Sequence, residues 1–368
     1  MDCSEHWPSL EEYLDAFNRK ADEQRVPTSG AISLTDRCNW DCVHCYAGPH
    51  RQADSAKLGA EMSTDLVLSC LDQVAEAGCL NLLLSGGEPL LRPDFPAIYE
   101  RARTNGMLVT VFTNGTLIDD AILDLFEDFP PYVVEITVYG GSASTHDSIT
   151  RTPGSFAQCL AGIEGLRKRG IRLKLKTILM TLNSHEFSAI EGLATSRGLD
   201  FRFDAEIFPT LEGDRAPLEL RVSAKEAVAF EFADSKRAEA WTRYFSRGVK
   251  GGSSKALYRC GAGQRTFHID STGKLQPCLM VTNEDYSYDL KIGNFQLGWS
   301  EAVARIHDVR GRPGYACNQC EKQTLCGLCP GFNRLETASE DQLSEYACAI
   351  GHLRFRAIQD QLSKGGTR

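Results

Sequence analysis

The chain has 368 residues, a formal net charge of −9 and 24% charged residues. That length suits a barrel-sized core plus a smaller one, and the acidic balance argues against nucleic acid as a partner, because phosphate backbones are held by clustered Lys and Arg. The first 13 residues lack the basic and apolar regions of an export signal, and no stretch approaches the roughly 20 apolar residues of a membrane span, so the expectation is a cytoplasmic protein without a membrane partner.

In chain order, residues 10–25 form one amphipathic stretch, read as a helix packing on the exterior of the next domain rather than as a partner-binding arm. From residue 31 to 205, short apolar runs alternate with longer amphipathic ones, the pattern of repeated strand–helix units and a parallel sheet. The spacing predicts strands at 32–34, 82–84, 108–112, 133–138, 173–179 and 201–205, with helices at 64–77, 95–105, 121–126, 156–168 and 186–197 and a further helix at 224–244. Six units fall short of the eight that close a (β/α) barrel, so the expected fold is α/β, an open partial (β/α)6 barrel with its chemistry at the C-terminal ends of the strands. Residues 247–254, rich in Gly and Ser, read as a linker, and a smaller cysteine-rich domain of short strands and helices follows it. The expected division is therefore an N-terminal extension at 1–30, a barrel at 31–246 and a cysteine domain at 247–368.

Fourteen cysteines in a chain read as cytoplasmic point to metal rather than to disulfides. Cys3, Cys70, Cys79 and Cys159 are scattered and read as small buried thiols, while the other ten fall in two regions. Cys38, Cys42 and Cys45 follow the first strand on a loop. A cubane [4Fe–4S] cluster has four irons, so three thiolates leave one iron open, which is how a metal site becomes catalytic. The competing reading is a zinc knuckle completed by His44 or His50.

The loop C-x3-C-x2-C after strand one resembles the radical S-adenosylmethionine (SAM) superfamily, and Gly86, Gly87, Glu88 and Pro89 follow strand two as the family's GGEP turn does. The resemblance implies that this turn meets the methionine amino group of SAM, its paired glycines letting backbone carbonyls come close. It also implies contacts to SAM from Thr113 and Asn114 at the end of strand three and from Thr137 at the end of strand four, near Tyr139. Lys174 and Lys176 are candidates for the SAM carboxylate, and His44, with Tyr46 as its substitute, stands where the family places an aromatic against adenine. In the family, one electron breaks the S–C5′ bond to give a 5′-deoxyadenosyl radical, which abstracts hydrogen from substrate; the electron comes from a donor such as flavodoxin or ferredoxin.

Cys260, Cys278, Cys317, Cys320, Cys326, Cys329 and Cys348 resemble the SPASM extension of such enzymes, with two residues in place of the usual three between the fifth and sixth cysteines. The resemblance implies two auxiliary iron–sulfur clusters, making three in all: Cys260, Cys278 and Cys329 for cluster I, and Cys317, Cys320, Cys326 and Cys348 for cluster II. Cluster I then lacks a fourth thiolate, which leaves its fourth site to water, substrate or a side chain such as Asp270 or His268. Structural zinc is the alternative, since two C-x2-C pairs also make a zinc ribbon. The stretch 260–288 resembles peptide maturases, and Leu279 after Cys278 departs from the Asp of the sulfatase-maturing branch. These resemblances imply a ribosomally made precursor peptide as substrate and a separate leader-binding protein. Tetrapyrrole side-chain chemistry is the alternative, and a non-catalytic iron–sulfur carrier is the reading of a different class.

Overall fold

The apolar runs become six parallel strands, β1 (Ser29–Ser33), β2 (Asn81–Ser85), β3 (Leu108–Thr113), β4 (Val133–Thr137), β5 (Leu173–Ile178) and β6 (Asp200–Asp204), in a computed structural model that describes residues 9–48, 61–246 and 256–365. They pair in chain order, β6-β5-β4-β3-β2-β1. Between them run α2 (Thr64–Glu76), α3 (Phe95–Thr104), α4 (Asp120–Asp128), α5 (Ala143–Thr150), α6 (Ser155–Lys168) and α7 (Phe187–Thr195) on the outer face, with α1 (Leu10–Gln24) preceding the sheet. Strand periodicity explains the layering. Ile32, Leu82, Leu84, Val109, Val111, Val134 and Ile136 are buried in one core with Val67, Leu71, Ile98, Tyr99, Phe126 and Ile163 of the helices. The alternate positions, among them Ser33, Ser85, Phe112, Glu135, Lys176 and Arg202, line the concave face. Strand C-terminal ends therefore meet at one mouth.

The sheet does not stop at the expected domain limit. A seventh strand, β7 (Thr266–Ile269), pairs parallel with β1, and β8 (Lys274–Gln276) and β9 (Tyr288–Asp289) continue it antiparallel, giving nine strands among the described residues. Phe267, Ile269, Leu275, Phe295 and Trp299 belong to the same core as the barrel residues. The other end of the cysteine region docks as well: α8 (Ala224–Ala233) receives the last helix, α11 (Glu345–Gly365), through Ile350 packed with Leu179, Phe187, Ala205 and Val228.

Three expectations change. The helix expected at 224–244 is two, because Asp234 is extended and its carboxylate accepts from Arg237 N at 2.9 Å, starting α9 (Ser235–Ser246). Helix α1 does not lie along the barrel. Its C-terminal end is fixed where Arg25 donates to Gly263 O and Trp299 O and Trp299 Nε1 donates to Arg25 O at 2.8 Å, whereas Leu10 is 74% exposed and Tyr13, Leu14 and Phe17 are also exposed. Helix α5 had no predicted counterpart. The expected linker, His50 and Cys3 lie outside the described residues. No helix of the described residues is long and apolar enough to cross a membrane.

A buried ion pair joins barrel and cysteine region: Arg354 of α11 grips Glu231 of α8 through two bonds of 2.8 and 2.5 Å and donates to Leu325 O at 2.7 Å. Removing one partner strands the other charge in the interior, a loss of about 3–5 kcal/mol. Glu231→Ala should lower the unfolding free energy by that amount, and Glu231→Leu combined with Arg354→Met should recover much of it; thermal unfolding of the two variants checks this.

Candidate functional site

At the mouth, the backbone of the GGEP turn is bonded to the start of the cysteine loop. Gly87 N donates to Thr35 O at 2.7 Å and Glu88 N to Arg37 O at 2.8 Å, while Leu34 N donates back to Ser85 O. A Cβ on Gly86 would stand 2.3 Å from Thr35 O and one on Gly87 2.2 Å from Arg37 O, so the glycines here admit the cysteine loop. Glu88 is fully buried: Oε1 accepts from Thr113 Oγ1 at 2.8 Å and Leu90 N at 3.1 Å, and Oε2 accepts from Asn114 N at 2.7 Å. Thr113, expected to face a ligand, thus spends its hydroxyl on Glu88. The Asn114 amide donates to Asn39 Oδ1 at 2.7 Å, and its oxygen accepts from Thr116. Pro89 is buried and opens the short 3-10 turn Pro89–Leu91.

Cys38, Cys42 and Cys45 converge on this lock. Burial raises all three thiols, Cys38 to about 12 and Cys45 to about 11; Glu88 and then Cys45 add to Cys38, Cys45 and Cys38 add to Cys42, and Asp41 and Asp36 add to Cys45. Three thiols that resist ionisation together are relieved by bound cations, which strip their protons outright, so the donor set fits an iron cluster. No three His, Cys, Asp or Glu side chains among the described residues converge tightly enough for a single ion. Thiolates on separate irons of a cluster spread wider than ligands on one ion. His44 meets the Tyr139 ring edge-on at 4.7 Å; burial lowers it to about 4, and its buried Nδ1 has no hydrogen bond among the described residues. Thr137 is half-buried on the concave face opposite Lys176. The two lysines are turned to protein carboxylates, Lys174 toward Asp200 at 3.9 Å and Lys176 toward Glu135 at 3.8 Å. Burial, then Arg202, pushes Lys176 well below the usual lysine range.

The seven C-terminal cysteines sort into two sets. Cys329 is pushed up to about 12 by burial and then by Cys278 and Cys260, and Cys260 likewise raises Cys278. Cys326, up to about 11, is raised by burial and then by Cys317, Cys320 and Cys348, and Cys348 by burial and then by Cys317 and Cys320. Two close approaches hold the sets. A Cβ on Gly331 at the start of α10 (Pro330–Thr337) would stand 2.6 Å from Met280 O, and one on Gly351 2.6 Å from the Cys326 Cβ. The candidates for cluster I's vacancy are engaged elsewhere. His268 bonds Ser33 Oγ at 2.9 Å through Nε2 and Gln276 Oε1 at 3.1 Å through Nδ1, and Asp270 Oδ1 accepts from Thr272 N, Thr272 Oγ1 and Lys274 N.

Sequence reasoning missed Glu206, two residues past β6 and lining a small cleft with Cys326 and Cys329. A lone acidic residue in the apolar run after a strand end was the available signal. Arg92 was missed too; it donates to Leu34 O and Met62 O and pairs with Asp94 at 2.6 Å, bracing the strand before the cysteine loop.

Burial raises Glu88 from 4.5 to about 7 despite its three donors. The folded protein then holds this proton more tightly than the unfolded chain does, so the contribution is fully present below about 4.5, falls as pH rises through about 7, and is level above. Glu88→Gln lacks the titration and meets three donors with one oxygen. The variant should be less stable throughout, with its deficit shrinking from about pH 5 to about pH 8; thermal midpoints of both proteins over that range check the sign.

Residues 32–194 match the family model described as the radical SAM superfamily. The chain is similar to the AdoMet-dependent heme synthase of Methanosarcina barkeri, 28% identical over 87% of this chain and 95% of that protein. It is also similar to the mycofactocin maturase MftC of Mycobacterium ulcerans, 25% identical over 80% of each. Its fold is shared with Streptococcus suis SuiB bound to precursor peptide SuiA, with a TM-score of 0.69 at 13% identity over 95% of this chain and 84% of that one. With the mouth geometry in hand, these matches show that the chain is an enzyme with a radical SAM domain over residues 32–194.

Proposed function

We propose that this enzyme cleaves SAM at a [4Fe–4S] cluster held by Cys38, Cys42 and Cys45, carries two auxiliary clusters in a SPASM-type region, and modifies a ribosomally made peptide by hydrogen abstraction. The observation that carries the reading is the sorting of ten thiols into groups of three, three and four: Cys42 is raised by Cys45 and Cys38, Cys329 by Cys278 and Cys260, and Cys326 by Cys317, Cys320 and Cys348. Cluster and SAM, when bound, supply the reductive S–C5′ cleavage and the 5′-deoxyadenosyl radical; the chain supplies position and the exclusion of water. Three thiolates would leave one iron for SAM, and the lock to Gly87 and Glu88 fixes the start of the loop that carries them. His44 and Tyr139 wall one side. Tyr46, Phe208 and Phe332, with ring centroids 5.6 and 5.8 Å apart in turn, form an apolar wall from the cysteine loop to the helix that begins after Cys329.

The peptide enters over the strand ends, between the mouth and cluster I. Support comes from the likeness of 260–288 to peptide maturases and from the maturases among the relatives, while Leu279 argues against the sulfatase-maturing branch. A separate leader-binding protein would present the peptide, and a flavodoxin or ferredoxin would bring the electron. The second reading, a tetrapyrrole side chain as substrate, is favoured by the likeness to a heme synthase across 95% of its length.

Anaerobically reconstituted protein should hold about 12 irons per chain, from three cubanes; about four, with zinc in the remainder, would remove the auxiliary clusters. Replacing Cys38, Cys42 and Cys45 together by Ala should abolish 5′-deoxyadenosine formation while the auxiliary absorbance persists. Cys278→Ala should keep SAM cleavage and lose peptide product. Turnover of a porphyrin without turnover of any peptide decides for the second reading.

A further inference from the structure

We propose that the Glu206 carboxylate is the fourth ligand of auxiliary cluster I, an inference that rests on the three-cluster reading above. The vacancy comes first. Cys260, Cys278 and Cys329 supply three thiolates to a cluster with four irons, and nothing between residue 255 and residue 259 is a cysteine. Cys70, Cys79 and Cys159 are buried in the barrel core. His268 has both ring nitrogens engaged, and Asp270 accepts three bonds within its own turn. Glu340 faces Arg334, 3.8 Å away.

Glu206 differs from all of these. It is half-buried, and among the described residues no donor hydrogen-bonds its carboxylate. The charges that reach it are Asp204 and Glu231, which repel it, and Arg354 and Arg221, which attract it. Both arginines are already committed, Arg354 to Glu231 and Arg221 to Glu336 through bonds of 3.1 and 2.9 Å. A half-buried carboxylate whose neighbouring arginines are bonded elsewhere is unfavourable, and a cation beside it reduces the penalty. The surroundings name the cation. Glu206 shares its cleft with Cys329, and its Oε1 lies 3.4 Å from where a Cβ on Gly327, between Cys326 and Cys329, would stand. Cluster II, beside Cys326, already has four thiolates, so the iron with a free position belongs to cluster I. A carboxylate oxygen is an ordinary ligand for iron.

The ligation puts a residue of the barrel's sixth strand end onto a cluster otherwise held by the C-terminal region. It also closes cluster I to outside ligands. The test uses reduced holoenzyme with S-adenosylhomocysteine filling the SAM site and cyanide as the probe, read by electron paramagnetic resonance. The wild-type cluster I signal should not change with cyanide, Glu206→Ala should gain a cyanide-dependent shift, and Glu206→Cys, with a thiolate in place, should lose that shift again. A wild-type signal that shifts with cyanide, or a Glu206→Ala signal identical to wild type in both conditions, overturns the assignment. Iron content separates the two levels of the claim. About 12 irons with a cyanide-sensitive wild type defeats Glu206 alone, whereas about eight irons in the wild type defeats the three-cluster reading and this proposal with it.

Discussion

The structure turns on two backbone hydrogen bonds, Gly87 N to Thr35 O and Glu88 N to Arg37 O, which tie the end of β2 to the residues just before Cys38. Neither survives a side chain at Gly87, whose Cβ would overlap Arg37 O. Glu88 extends the tie to β3 by accepting from Thr113 and Asn114, and Arg92 braces Leu34 from behind. A radical made at an open iron reaches only what stands beside it, so displacing the cysteine loop by an ångström would affect rate more than affinity. Burying a carboxylate here is unfavourable by itself. Three donors offset much of that, and the return is a loop whose geometry is set before any ligand arrives.

The same constraint reaches the cysteine region through the segment after β6. Leu211 N donates to Tyr46 O at 2.8 Å, Phe208 packs on Tyr46 and Phe332, and Arg221 donates to Ile207 O at 2.6 Å while gripping Glu336 of α10. One short stretch therefore touches the SAM-site loop and the helix that starts at Cys329. A change in either region is felt in the other through packed rings and a buried ion pair.

Much of this was legible in the sequence, for a local reason. The six parallel strands announced themselves because their apolar runs are short and bounded by longer amphipathic ones, and the positions of Cys38 and Gly86 after strands one and two followed directly. What failed was whatever depended on distant partners. Residues 247–368 read as a separate domain because nothing in 266–269 says that they pair with β1. Helix α5 escaped because ASTHDSIT carries one large apolar residue and no period. Thr113 looked like a ligand group, but its hydroxyl goes to Glu88, 25 residues earlier. His268 and Asp270 looked free for the same reason, and Glu206 was not singled out.

The continuity of the sheet alters what the auxiliary region is. Had 247–368 been a module on a linker, its clusters would take up variable distances from the SAM site and could serve only as a loosely coupled reservoir of electrons. Instead β7 is hydrogen-bonded to β1 along four residues, β8 to β7, and Cys278 leaves β8 two residues past Gln276, while Cys38 leaves β1 five residues past Ser33. His268 and Ser33 join the two strands again on the concave face. Both cysteine loops thus spring from one ladder whose strand spacing is fixed near 4.8 Å, and α11 clamps the far side through Glu231 and Arg354. Such a frame holds the two cysteine loops at a constant distance. That constancy is what a site needs if a substrate held between the two is to lose hydrogen on one side and an electron on the other.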